Sequence, residues 1–191
     1  DGTVTLSQIA VNSNKTNFYT VAHEVGHGLI SHFDGVDHAG YLDCGDVTIT
    51  ADAPNGCNTA GHSDLFNVMG HCDVMGIFHF NAPQKEFLVW FNPGNTKTIP
   101  LAGVGVGTYL LEPLEGSSSD LKVLKIQRKS DPPFQYFYIE YRQPIGFDAM
   151  PALNDPKQIS DVYQGALIHT LNFKPSFSLL LDMTPLDGIS F

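Results

Sequence analysis

Positive charge is scarce in this chain. Ten Lys and Arg stand against twenty Asp and Glu, giving a formal net charge of −10 and a pI near 5.0. Nucleic acid and anionic membrane surfaces both need clustered Lys and Arg, so the balance argues against either as a partner. Long apolar runs are also missing, and nothing approaches the ~18 consecutive apolar residues of a spanning helix. No CxxC pair occurs, which disfavours a zinc ribbon. There is no GxSxG elbow and no Cys–His dyad signature. The Gly-rich "GVGVGTY" at 103–109 lacks the following helix and basic residue of a phosphate loop and reads as a β-turn run. What remains is an acidic protein of 191 residues, 42% apolar and 16% charged, able to bury a core as one domain or two small ones. The chain opens at Asp1 rather than Met, and with few Lys and Arg and three Cys it suits a processed, secreted protein.

Three cysteines allow three choices of single disulfide. Cys44 and Cys57 flank a loop rich in Asp, Gly, Asn and Pro. That bridge is the favoured one, because it staples a segment with little core of its own. Cys72 is then a free thiol or pairs with another chain segment.

Residues 3–11, "TVTLSQIAV", alternate as a strand. "NSNKTN" is a loop in which Thr16 or Asn17 caps the next element. "FYTVAHEVGHGLI", from Phe18 to Ile30, is a helix whose apolar residues Phe18, Val21, Ala22, Val25 and Leu29 recur at three and four. Gly26 and Gly28 weaken it and mark a close approach of another backbone. Residues 40–72 are loop-rich. "NAPQKEFLVWF" is a second helix, with Asn81 as its cap, Pro83 in its first turn, and Pro93-Gly94 ending it. Beyond 92–98 come six short β-prone runs separated by Gly, Pro, Ser and Asp: "KTIPLAG", "GTYLLEPL", "LKVLKIQRK", "FQYFYIEYRQ", "GALIHTLNF" and "FSLLLDMTP". The expected fold class is therefore α+β, with residues 1–95 holding the helices and residues 96–191 an antiparallel, sandwich-like β-rich portion.

The first helix carries chemistry. His23 and His27 are spaced i, i+4, so both project from one face, ~40° apart around the axis and ~6 Å apart along it. That spacing suits a shared Zn2+, which takes imidazole nitrogen at ~2.0–2.1 Å. Glu24 sits beside them. A zinc-bound water, its pKa lowered toward ~7, would yield its proton to Glu24 as general base, and Glu24 would pass it to the leaving amine. Such a site needs a third protein ligand. The strict pattern HExxHxxGxxH fails, since Ile30 and Phe33 stand where its Gly and His belong. "GVDH" at Gly35–His38 restores GxxH if "ISHFD" at 30–34 is an insertion, which makes His38 the third ligand. His32 would face away on a continuing helix and reads as a loop histidine. Glu86 or Asp64 is the alternative ligand in a carboxylate-type site. His62, His71 and His79 are assigned to loop polarity rather than to a second zinc site. Asp148, Asp182 and Glu140 match no EF-hand spacing.

"VAHEVGHGL", "DHAGYLDCG", "DLFNVMG" and "HFNAPQKEFLVWF" follow one another in the order seen in the gametolysin-type metalloproteases of the metzincin clan, which the chain resembles over roughly 18–190. "GTYLLEPL", "YIEYRQPIGFD" and "LLLDMTP" are also similar to that family's β portion. The resemblance implies a secreted zinc endopeptidase acting on polypeptides, with zinc ligands at His23, His27 and His38 and Glu24 as base. It also implies a Met-turn beneath the metal, at Met69 in "DLFNVMG" rather than Met75 in "DVMG". The chain departs from the family in the insertion before Gly35, in Val89 where Gly is expected before Trp90, and in a short stretch before His23 that leaves the N-terminal sheet incomplete. A non-catalytic, zinc-stapled binding module derived from such a protease is the competing reading.

Overall fold

The computed structural model describes residues 18–29, 36–70, 78–102, 107–149, 162–172, 174 and 176–186. The expected strand at 3–11, the caps Thr16 and Asn17, His32, Gly35, the "ISHFD" insertion, His71, Cys72 and Met75 lie outside these residues.

The architecture is α+β. Helix α1 spans Phe18–Gly28 and helix α2 spans Ala82–Phe87. The strands are β1 (Ala39–Asp43), β2 (Asn58–Ala60), β3 (Thr96–Ile99), β4 (Val123–Gln127), β5 (Tyr136–Tyr141), β6 (Ala166–Leu171) and β7 (Ser178–Leu181). They form one sheet in the order β2-β1-β7-β6-β5-β4-β3. Four neighbour pairs are antiparallel, while β1–β7 and β3–β4 are parallel. The sheet is thus mixed, not antiparallel, and among the described residues it is a single sheet rather than a sandwich. It also crosses the 95/96 division, since β1 pairs with β7.

Three local expectations change. "AGYLD" within the loop-rich region becomes β1, because its first four residues are all buried against β7. "GTYLLEPL" forms no strand; Leu110 is 82% exposed, and the amides of Glu112 and Leu114 bond singly to the Leu121 and Tyr141 carbonyls. Helix α2 begins as expected, with the Asn81 side chain accepting from the Gln84 amide, a cap worth ~1 kcal/mol. It stops at Phe87, well before Pro93. Val89 donates to Glu86 and Trp90 to Lys85, the paired bonds of a Schellman ending, and Val89 adopts φ +58°.

Strand β7 is buried at all four positions, as expected of a strand covered on both faces. Leu179 and Leu181 pack with Leu42, Phe134 and the Cys44–Cys57 disulfide. Leu180 packs on the other side with Tyr41, Phe66, Phe78 and Val162. The expected disulfide bridges the β1–β2 hairpin one residue beyond its last register pair, Asp43–Asn58.

A buried polar network ties the 64–70 loop to the sheet. Asp64 meets the His169 ring at 3.0 Å, and Glu140 receives the Ala82 amide at 2.5 Å. Arg142 lies between Glu140 and Asp148 at 2.7 Å from each, and all five of these ionisable side chains are essentially inaccessible. Charges this deep persist only when paired.

Candidate metal centre

Helix α1 has two working faces. Phe18, Val21, Ala22, Val25 and Leu29 line a groove of about 370 Å³ with Val68, Phe80, Trp90 and Phe147. His23 and His27 point the other way, toward two irregular segments at 36–38 and 67–69. Those segments are bound to each other: the Ala39 amide donates to the Met69 carbonyl at 2.8 Å. Gln84 of α2 braces both, accepting from Asn67 at 2.8 Å and donating to the Asp37 carbonyl at 3.0 Å.

Each segment orients one imidazole. His23 Nδ1 donates to the Val68 carbonyl at 2.9 Å, and His27 Nδ1 donates to the Val36 carbonyl at 2.7 Å. A carbonyl only accepts, so Nδ1 carries a proton in both rings, and in the neutral form of each ring Nε2 presents its lone pair. Those two Nε2 atoms lie 3.2 Å apart. Facing lone pairs repel unless a cation lies between them. A tetrahedral ion bound at the ~2.0–2.1 Å usual for zinc and imidazole sets its nitrogens ~3.3 Å apart, so the pair fits such an ion. A carbonyl holding the far nitrogen is also how metal-bound histidines are commonly fixed.

His38 joins them. Its ring centroid is 4.7 Å from that of His27 and 5.6 Å from that of His23. Its own amide is capped by the Asp37 carboxylate at 2.8 Å. Burial, with His62, His27 and His23 nearby, pushes the His38 ring down to about 4, and burial also lowers His23. Rings that resist protonation are available as ligands at neutral pH.

His62 is the residue that sequence reasoning missed. Its ring lies 3.4 Å from that of His38 and 5.7 Å from that of His23, centroid to centroid. Nitrogen atoms of His23, His38 and His62 all lie within 4.8 Å of one another. This group holds two of the expected ligands and one histidine assigned to loop polarity; His27 is not among the three and adjoins them through His23, Nε2 to Nε2 at 3.2 Å. The missing signal was the β1–β2 hairpin: its pairing ends at Tyr41–Ala60, and the Asp64 amide then returns to the Ala39 carbonyl, so the turn between them carries His62 beside His38.

The alternative carboxylate ligands are engaged elsewhere. Glu86 holds Lys125 and the Tyr138 hydroxyl, both at 2.7 Å, and Asp64 is buried on His169. His79 meets Trp90 and Phe80 edge-on, at 5.8 Å between ring centroids in each case. Glu140 and Asp148 are taken up by Arg142, and Asp182 accepts the Thr184 amide. Glu24 is half-buried on α1 next to His23.

Met69 is fully buried beneath α1 with Val36, Ala39 and Phe80. A Cβ at Gly26 would collide with the Met69 sulfur, so the helix glycine admits a side chain rather than another backbone. No family model, no curated protein and no solved structure matches this chain.

Proposed function

We propose that this chain is a zinc-dependent endopeptidase acting on polypeptides outside the cell. The observation that carries the reading is the His23–His27 pair, with each Nδ1 on a carbonyl and the two lone pairs facing at 3.2 Å. His23, His27 and His38 are the ligands in this reading, and Met69 is the Met-turn residue, an apolar floor that packs against the histidine helix without ligating. The gametolysin-type, metzincin reading of the fold belongs to the same proposal. It is supported by the order of motifs along the chain and by the place of Met69 under α1. The disulfide is consistent with an oxidising, secreted environment.

A zinc held there supplies a Lewis acid for the scissile carbonyl and lowers the pKa of the attacking water. The chain's own groups do the rest. His23 and His27 are fixed in one tautomer by Val68 and Val36. Glu24, one residue on from His23, takes the water's proton and delivers it to the leaving amine. The fold exposes His62 and half-exposes His38, so substrate approaches from that side.

Elemental analysis of the purified chain tests the centre, with one zinc per parent chain expected and a steep loss in His38→Ala. Hydrolysis of an unfolded protein tests the chemistry: Glu24→Ala keeps its zinc and loses roughly 10²–10⁴-fold in rate. If Glu24→Ala cleaves as fast as the parent, the mechanism is wrong. One observation favours a second reading. His62 lies beside His23 and His38, and added to the three expected ligands it would give the closed shell of a structural zinc, as in a zinc-stapled binding module. Retained zinc with no turnover on any unfolded protein supports that reading.

A further inference from the structure

His62 stands beside His38 and His23, with nitrogens of the three rings within 4.8 Å of one another. It is held there against its own backbone preference, at φ +59°, the left-handed region that an L residue enters at a cost. The hairpin imposes the placement. Gly40 lets β1 approach β2 so closely that a Cβ there would overlap the Ala60 carbonyl. On the far side of the turn, the Asp64 amide is fixed to the Ala39 carbonyl at 3.2 Å. The backbone on both sides of His62 is thus tied to β1 just after His38, and the ring lands against that of His38.

The His62 side chain itself is held differently from His23 and His27. Those two rings are each anchored by a carbonyl at Nδ1. Among the described residues no hydrogen bond anchors the His62 ring, and the residue is exposed. Beside it, a Cβ at Gly61 would meet nothing within 4 Å, so the turn borders open space. A ligand with a fixed partner stays, and a ligand held by the metal alone can leave.

We propose that His62 is an exchangeable fourth ligand: seated, it closes the coordination shell, and displaced through the Gly61–Ser63 turn, it frees the position at which substrate is hydrolysed. This rests on the zinc-peptidase reading of the same centre. Four protein ligands make a metal inert toward substrate, whereas three leave it reactive, so the position of one exposed side chain sets whether the centre is latent.

The test uses the full chain loaded with Co2+, whose visible absorption reports its ligand shell. His62→Gly and His62→Asn both accept the left-handed backbone and remove a side chain long enough to reach the metal. Parent and variants are assayed for cobalt content and titrated with acetohydroxamic acid, which requires open positions. The expected result is one cobalt per chain in all three, altered starting spectra in both variants, and a hydroxamate response at least tenfold tighter than in the parent. Parent-like spectra and hydroxamate affinity in both variants overturn the role of His62 and leave the His23–His27–His38 centre standing. Loss of cobalt from both variants, when they remain folded by circular dichroism, makes His62 a permanent ligand and overturns exchange. Failure of the parent itself to bind cobalt overturns this inference and the peptidase reading together.

Discussion

The Nε2 atoms of His23 and His27 face each other at 3.2 Å, while the opposite nitrogen of each ring is fixed to a backbone carbonyl from a different segment, Val68 for one and Val36 for the other. A cation that binds this pair therefore also joins α1 to the segments at 36–38 and 67–69. Because binding favours only the folded chain, metal at a hundred times its Kd adds ~2.7 kcal/mol of stability. For a protein of this size that corresponds to a Tm rise of about 5–10 °C. Thermal melts with zinc and with excess chelator should differ by this much in the parent and by little in His27→Ala.

Val89 occupies the C′ position of a Schellman ending with φ +58°, as a β-branched and 85% exposed residue. Glycine adopts that conformation without strain, and the exposed valine side chain has little packing to lose. Val89→Gly should stabilise the protein by about 1 kcal/mol. Urea denaturation checks it, and a less stable variant would mean that the backbone at 89 relaxes in solution.

Gly26 and Met69 are in direct steric competition. Alanine at 26 would improve helix propensity by up to ~1 kcal/mol in isolation. Its Cβ would meet the buried Met69 sulfur, and overpacking of this kind costs about 1–3 kcal/mol. Gly26→Ala is expected to destabilise the parent but to be harmless or favourable in a Met69→Ala background. A double-mutant cycle by denaturant unfolding measures the coupling; additive effects would show that the two side chains do not meet.

His79 is part-buried and neutral. Its Nδ1 accepts the Phe80 amide at 2.8 Å, and burial, aided by the nearby Lys85 charge, pushes its pKa down to about 4. The unfolded chain, with a pKa near 6.5, binds the proton more readily. This group's contribution is fully present above about pH 6.5, falls as pH drops from there toward about 4, and is constant below. The slope is at most ~1.4 kcal/mol per pH unit. His79→Gln should lose less stability than the parent between pH 6.5 and pH 5 in urea titrations at fixed ionic strength. Parallel pH profiles would refute the assignment.

Arg142 joins Glu140 and Asp148 where water does not reach. Arg142→Met leaves two carboxylates buried without their cation and should cost ~3–5 kcal/mol. Because Glu140 also holds the Ala82 amide at the start of α2, the loss should propagate to Gln84 and the segments it braces. Hydrogen exchange at α2 and at 67–69 would rise in the variant; protection unchanged from the parent would show that the network is only a local feature.

Helix α1 was legible because its signals are local. Apolar spacing, the paired histidines and their shared face follow from 3.6 residues per turn. Asn81 and Pro83 likewise mark the start of α2 through contacts made within one turn. The end of α2 was not legible, because the Schellman bonds place a valine where sequence preference asks for glycine. Strand β1 was hidden in a turn-rich stretch; "AGYLD" has weak strand propensity and is a strand because β7 pairs with it from the far end of the chain. The reverse holds for "GTYLLEPL", which has strand character but, among the described residues, pairs with no strand of the sheet.

The sequence by itself determined the α+β class, the histidine pair of α1, the Asn81 cap and the Cys44–Cys57 pairing, since each depends on residues within about a dozen positions of one another. Only the tertiary structure decided that the strands make one mixed sheet, that Val36 and Val68 fix the two imidazoles, and that His62 stands beside His38. Those outcomes depend on hairpin register and on pairing between distant segments, where each residue's place is set by what the rest of the chain leaves for it to contact.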